Sequence, residues 1–195
     1  GNNMSIIGDK FHDECGLMAV WNHPEAANLT YLGLYAQQHR GQEGAGVVSV
    51  KRNGDDHPHF FFHKGLGLVA DVFGNFDFNQ LPGDYAIGHV RYTTAGGNKL
   101  ANVQPFVADI SLGYVAVAHN GNLINADELR RELIDRGSIF GSTSDTETIL
   151  HLLAHGDKDA PRVESVIAAL QRLQGAFSLL LLFHDRLIVA RDRHG

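Results

Sequence analysis

Two nearly continuous apolar runs, Ala176–Phe183 and Leu187–Ala190, flank a short His184-Asp185-Arg186 turn and limit what this chain can fold into. A strand that is apolar at every position has no face to offer water, so it must be buried on both faces. Tyr85–Tyr92 and Gly113–His119 are further apolar, β-branched runs, each ending in a polar cluster. A single half-solvated sheet would alternate instead. Two sheets packed face to face, with helices outside, account for these runs better, and the expectation is a layered α/β domain.

The helices can be placed by period and by caps. Ala26, Leu29, Leu32 and Ala36 recur at helical spacing within Glu25–His39. Asn125-Ala126-Asp127-Glu128 reads as an N-cap with an acidic partner, opening a helix that Gly137 closes. Ser144-Asp145-Thr146-Glu147 reads as a capping box for a helix through Ala154. Pro161 starts another, with Val163, Val166, Ile167 and Leu170 on one face. Between these lies Gln38–Gly46, where the density of glycine predicts a loop whose backbone approaches something closely. Met4–Glu14 shows no usable periodicity.

Composition narrows the function classes. Of 195 residues 44% are hydrophobic and 19% charged, and the net charge is −6 with no Lys/Arg cluster beyond a pair. That argues against a nucleic-acid surface. No apolar stretch reaches the ~18 residues of a membrane span, and no secretory h-region opens the chain. A single cysteine allows no internal disulfide and fits a reducing, cytoplasmic compartment.

That cysteine, Cys15, stands where unpatterned sequence gives way to the first apolar strand, Gly16–Trp21. By itself it reads as a buried small hydrophobe or as a nucleophile. Arg91 follows one strand and could offer a planar fork to a carboxylate or phosphate. Asn120-Gly121 follows another, and reads either as a type I′ hairpin turn or as an oxyanion hole built from a side-chain amide and a backbone N–H. Asp145 suits a helix N-terminus. Among twelve histidines, His151 and His155 stand four apart on a helix, but Leu152 occupies the place where a zinc-protease motif needs glutamate, so a helix surface is the better reading.

Cys15-Gly16, QHRGQEGAG at Gln38–Gly46, IGHVRYTTAGG at Ile87–Gly97, NVQPF at Asn102–Phe106, AHNGNL at Ala118–Leu123 and TSDTE at Thr143–Glu147 occur together and in this order. Together they resemble the class II, N-terminal-nucleophile glutamine amidotransferases, and most closely the amidophosphoribosyltransferase family. The resemblance implies a four-layer αββα sandwich. It also implies hydrolysis of glutamine to glutamate and ammonia, the ammonia converting phosphoribosylpyrophosphate to phosphoribosylamine in the first step of purine synthesis. Carried over, Cys15 would be the nucleophile, with its freed α-amine as base. Asn120 and Gly121 would form the oxyanion hole. Arg91 would hold the α-carboxylate of glutamine and Asp145 its α-ammonium. Arg40, Gly41 and Thr94 would shape the pocket.

The same resemblance divides the chain into residues 1–14, a tag remnant plus leader, and residues 15–195, the amidotransferase domain cut short at its C-terminal end. The phosphoribosyl-transferring domain is expected to lie outside this chain. Magnesium and, in members with a leader, an iron–sulfur cluster are expected there too, as one cysteine cannot hold a cluster. No cofactor is expected within these residues, and a homo-oligomer is expected for the full-length enzyme. A glutaminase feeding a sugar phosphate, or a non-catalytic domain of this fold, are the alternatives.

Overall fold

The apolar runs become strands of two antiparallel sheets that face each other. A computed structural model describes residues 5–8, 16–37, 42–51, 59–92 and 99–192. The first sheet contains β1 (Ser5–Gly8), β2 (Leu17–Trp21), β3 (Gln42–Lys51), β4 (His59–Leu66) and β5 (Tyr85–Tyr92), in the order β1-β2-β5-β3-β4. The second contains β6 (Phe106–Ile110), β7 (Gly113–Leu123), β8 (Gly175–Phe183) and β9 (Leu187–Arg191), in sequence order.

Alternation along the strands sorts the side chains into three apolar layers. In β8, Leu180 and Leu182 point inward to meet Leu17, Ala19, Val48, Val50, Tyr85 and Ile87 of the facing sheet, with Ala116 and Ala118 of β7 between them. Leu179, Leu181 and Phe183 point the other way. They are covered by α3 (Ala126–Asp135), α4 (Asp145–Ala154) and α5 (Arg162–Leu170). The outer face of the first sheet, with Met18, Val20, Val47, Ala86 and Val90, is covered by α1 (Ala26–Ala36) and the short α2 (Val69–Phe73). The layers therefore run helix, sheet, sheet, helix. A run such as Leu179–Phe183 is continuously apolar because one face meets the other sheet and the other meets helices.

Several local expectations change. Gln42–Gly46 is not loop but the first half of β3, with an irregularity between Gln42 and Gly44. Asn120-Gly121 is not a hairpin turn, because β7 continues through it to Leu123. β9 is an edge strand with Val189 exposed, and Ile167 is also exposed. Asn125 occupies the N-cap of α3 without a side-chain cap; its amide donates to Arg172 O and accepts from Gln174 N–H, tying the helix to the turn before β8. Ser144 does cap α4, accepting from Thr146 N–H, but Glu147 reaches the Gly141 and Ser142 amides rather than closing the box. β1 and β6 have no counterpart in the sequence reading.

Helix α1 lies close on β5 because Gly88 has no side chain. A Cβ there would stand 2.6 Å from Thr30 Cγ2 and 2.8 Å from Leu34 Cδ1. Thr30 cannot easily turn away, since its hydroxyl donates to Ala26 O at 2.8 Å. Gly88→Ala is expected to cost about 1–3 kcal/mol by overpacking, read as a lower denaturant midpoint; an unchanged midpoint would contradict this contact.

Candidate functional site

The inner faces of β5 and β7 turn polar toward the same end. After Tyr85 and Ile87, the inward positions of β5 are His89 and Arg91, both buried. After Ala116 and Ala118, the next inward position of β7 is Asn120. A hydrogen bond between the sheets joins these ends: His89 Nε2 donates to the His119 carbonyl at 3.1 Å. A carbonyl can only accept, so the proton sits on Nε2, and the buried Nδ1 has no partner among the described residues. Residue 16 enters at the same place. Gly16 O accepts Val90 N–H at 2.7 Å, and Leu17 pairs with His89. A Cβ on Gly16 would stand 2.6 Å from Val90 O, so the Cys-Gly step needs the glycine.

β6 does not cover this part of β7, since it begins only at Phe106, opposite Val117. Two residues further, the His119 N–H would lack a strand partner; Gln104 Oε1 accepts it at 2.6 Å. With the His89 bond, both edge groups of His119 are satisfied, directly before Asn120. Gly121 has φ +129° and pairs with Phe177, and a Cβ there would collide with Ala176 O. Only glycine fits that position.

Asp145 is the first residue of α4, half buried. Burial raises its pKa first, and the nearby Asp127 raises it further, partly offset by Arg130. A carboxylate in that setting gains from a cation placed beside it. The turn carrying it is held at Thr143, whose hydroxyl accepts from Asn102 Nδ2 at 3.0 Å and whose N–H donates to Asn102 Oδ1 at 3.1 Å. Asn102 and Gln104 are two residues apart, which is about 7 Å of extended chain. The Asp145 turn and the Asn120 rim are therefore anchored to one short segment.

Of the expected site residues, Arg91, Asn120, Gly121 and Asp145 are described, and it is their neighbours His89, His119 and Thr143 that bond to one another or to the Asn102–Gln104 segment. Cys15, Arg40, Gly41 and Thr94 lie outside the described residues. The sequence reading missed His89, Asn102 and Gln104 as site elements. The latter two lie in NVQPF, a conspicuous polar insertion before an apolar run, but nothing local assigns them partners. His151 bonds Glu147 at 3.3 Å and His155 bonds Ser138 at 3.1 Å. Among the described residues no three His, Cys, Asp or Glu side chains converge as a metal site would.

Comparison with known proteins agrees with this fold. The chain is similar to a solved allosteric regulatory enzyme of purine biosynthesis, with a TM-score of 0.84 and 42% identity over 93% of this chain and 38% of that one. It is also similar to the glutamine phosphoribosylpyrophosphate amidotransferase of B. subtilis, with a TM-score of 0.80 and 41% identity over 91% of this chain and 37% of that one. The αββα arrangement is thus an N-terminal-nucleophile hydrolase fold.

Residues 89–195 match the glutamine amidotransferase domain family. A chloroplastic amidophosphoribosyltransferase of Vigna aconitifolia is 51% identical over 98% of this chain, which spans 39% of that enzyme. An amidophosphoribosyltransferase of Lacticaseibacillus casei is 46% identical over 94% of this chain and 92% of its own length. The chain belongs to the amidophosphoribosyltransferase family, as its glutamine amidotransferase domain.

Burial pushes the His89 pKa down to about 3, with His119 and Arg91 adding to this and the bond to the His119 carbonyl opposing it; burial takes His119 to about 4. Both rings are neutral in the fold, but in the unfolded chain they protonate near 6.5. Between about pH 6.5 and 4 the unfolded state binds more protons, so stability falls as pH falls, by up to about 1.4 kcal/mol per pH unit for each ring. His89→Gln keeps an N–H donor and removes one titration. A shallower dependence of Tm on pH in that window is expected; an unchanged slope would contradict it.

Proposed function

We propose that this domain hydrolyses the side-chain amide of free glutamine, and that in the intact enzyme the ammonia passes to phosphoribosylpyrophosphate. One observation supports the reading: neighbours of Arg91, Asn120-Gly121 and Asp145 are linked by hydrogen bonds, His89 to His119, His119 to Gln104 and Thr143 to Asn102, near the entry of residue 16.

Cys15, bonded to Gly16, is the nucleophile. Its thiol, with an ordinary pKa of about 8.5, needs a base, and a free α-amine of about 7.7–8.0 is well matched. The amine takes the thiol proton as sulfur attacks the amide carbon. Asn120 Nδ2 and Gly121 N–H stabilise the resulting oxyanion. The amine then returns its proton to the departing nitrogen, the C–N bond breaks, and ammonia leaves a thioester. Water attacks that thioester, breaking the C–S bond to give glutamate and the free thiol.

Arg91 takes the α-carboxylate through its planar fork, and the half-buried Asp145 takes the α-ammonium. Recognition at both ends of the α-carbon selects free glutamine over a peptide amide. Arg40, Gly41 and Thr94 complete the pocket. While Glu14 is joined to Cys15, the Cys15 nitrogen is an amide and has no basicity to lend. Residues 1–14 therefore act as a leader whose removal switches the site on.

Glutamate release from protein beginning at Cys15 tests this reading. Asn120→Ala is expected to lower kcat by about 10²–10³. Asp145→Asn is expected to raise KM for glutamine by about 10- to 100-fold, the worth of a hydrogen bond to a charged group. Protein retaining residues 1–14 is expected to release no glutamate. Turnover at the same rate with Glu14 still attached would overturn the role of the amine.

A further inference from the structure

We infer that Asn102 and Gln104 are positioning residues of this site, Asn102 holding the turn that presents Asp145 and Gln104 holding the rim that presents Asn120 and Gly121. The assignment rests on the glutaminase reading above and adds two residues to which it gives no role.

The segment carrying both side chains is lodged between the sheets. At the site end of β3, the positions opposite Arg91 and His89 are Gly44 and Gly46. A Cβ on Gly44 would stand 3.0 Å from Val103 Cγ2, and one on Gly46 would collide with the Gln104 carbonyl. The two glycines open a slot, and Val103-Gln104 fills it. Lys64 of β4 also donates to Val103 O at 3.2 Å. The segment cannot shift without displacing the first sheet.

From that fixed place the two side chains reach different halves of the site. Asn102 is 3% exposed, and both ends of its amide are committed to Thr143. The rest of the turn is held within its own helix layer. Arg130 of α3 donates to Ser142 O at 2.7 Å, and Glu147 of α4 accepts from Gly141 and Ser142. The Thr143 pair ties this turn to the segment at the seam. Gln104 is 8% exposed and supplies the acceptor for His119 N–H where β6 has not yet begun. Without it a buried donor at residue 119 loses its partner, and the strand can relax one residue before the oxyanion donors.

The consequence is a kinetic division between close neighbours. Asp145 recognises a charge that substrate and transition state share, so disturbing its turn weakens uniform binding and raises KM. Asn120 and Gly121 meet a charge that develops only during reaction, so disturbing the rim lowers kcat. A role confined to fold stability would not separate the two constants.

The test is glutamate release and thermal melting of the full chain processed to begin at Cys15. Asn102→Leu is expected to raise KM by about tenfold with kcat nearly unchanged. Gln104→Met is expected to lower kcat by about tenfold or more with KM nearly unchanged. Gln104→Glu, which keeps an acceptor at the same reach, is expected to restore most of the loss. Should Asn102→Leu fail to fold, Thr143→Val removes the bond from Asn102 Nδ2 at an exposed position while the residue 143 N–H still donates to Asn102 Oδ1, and is expected to raise KM in the same direction by a smaller factor. If Asp145→Asn and Asn120→Ala act as stated while the brace variants leave both constants unchanged, or move the same one, the positioning assignment falls alone. If Asp145→Asn and Asn120→Ala leave both constants unchanged, the reading of the site falls and takes the assignment with it.

Discussion

The site depends on how His119 is held. Its carbonyl takes the His89 N–H from the facing sheet, and its own N–H is given to Gln104. Were β6 two residues longer, an ordinary ladder would satisfy both groups and the end of β7 would be sealed. Because β6 stops short, the end stays open while every backbone group of His119 remains bonded. An open rim with no unsatisfied backbone at its base can be both accessible and stiff. That combination is what preorganised oxyanion donors need, because their stabilisation depends on not having to reorganise during reaction.

The electrostatics fit the same frame. Two buried histidines stand at the seam, and burial keeps both neutral near pH 7. They add no positive charge beside Arg91. On the other flank, Asp145 is kept half buried beside a second acid. Positive and negative ends are thus supplied from different layers, one from the strand face and one from a helix N-terminus. In the proposed reading, Arg91 takes the α-carboxylate of glutamine and Asp145 its α-ammonium.

Much of this was legible in the sequence, for identifiable reasons. Leu179–Phe183 announced a strand buried on both faces because each face meets a different apolar layer. Ser144 announced a helix start because its hydroxyl does cap one. The glycines of Gln38–Gly46 announced close backbone approach, and Gly44 and Gly46 realise it against Val103-Gln104, although within a strand rather than a loop. Asn120-Gly121 misled as a turn because the positive φ of Gly121 serves close packing on Ala176 instead. Asn102 and Gln104 were illegible because their partners lie at Thr143 and His119, and no local pattern encodes a bond of that range. Family resemblance marked the NVQPF segment, but only the fold shows what it holds.

The proposed attack of Cys15 on glutamine takes place within a cage set by Arg91, Asn120-Gly121 and Asp145. It is tested most directly by the structure of the protein covalently trapped with a glutamine analogue that carries an electrophilic ketone in place of the amide. The account predicts a carbon–sulfur bond to Cys15 and the ketone oxygen about 2.7–3.1 Å from Asn120 Nδ2 and Gly121 N, with the α-carboxylate on Arg91 and the α-ammonium on Asp145. An adduct on another residue, or one whose oxygen points away from Asn120 and Gly121, would contradict it.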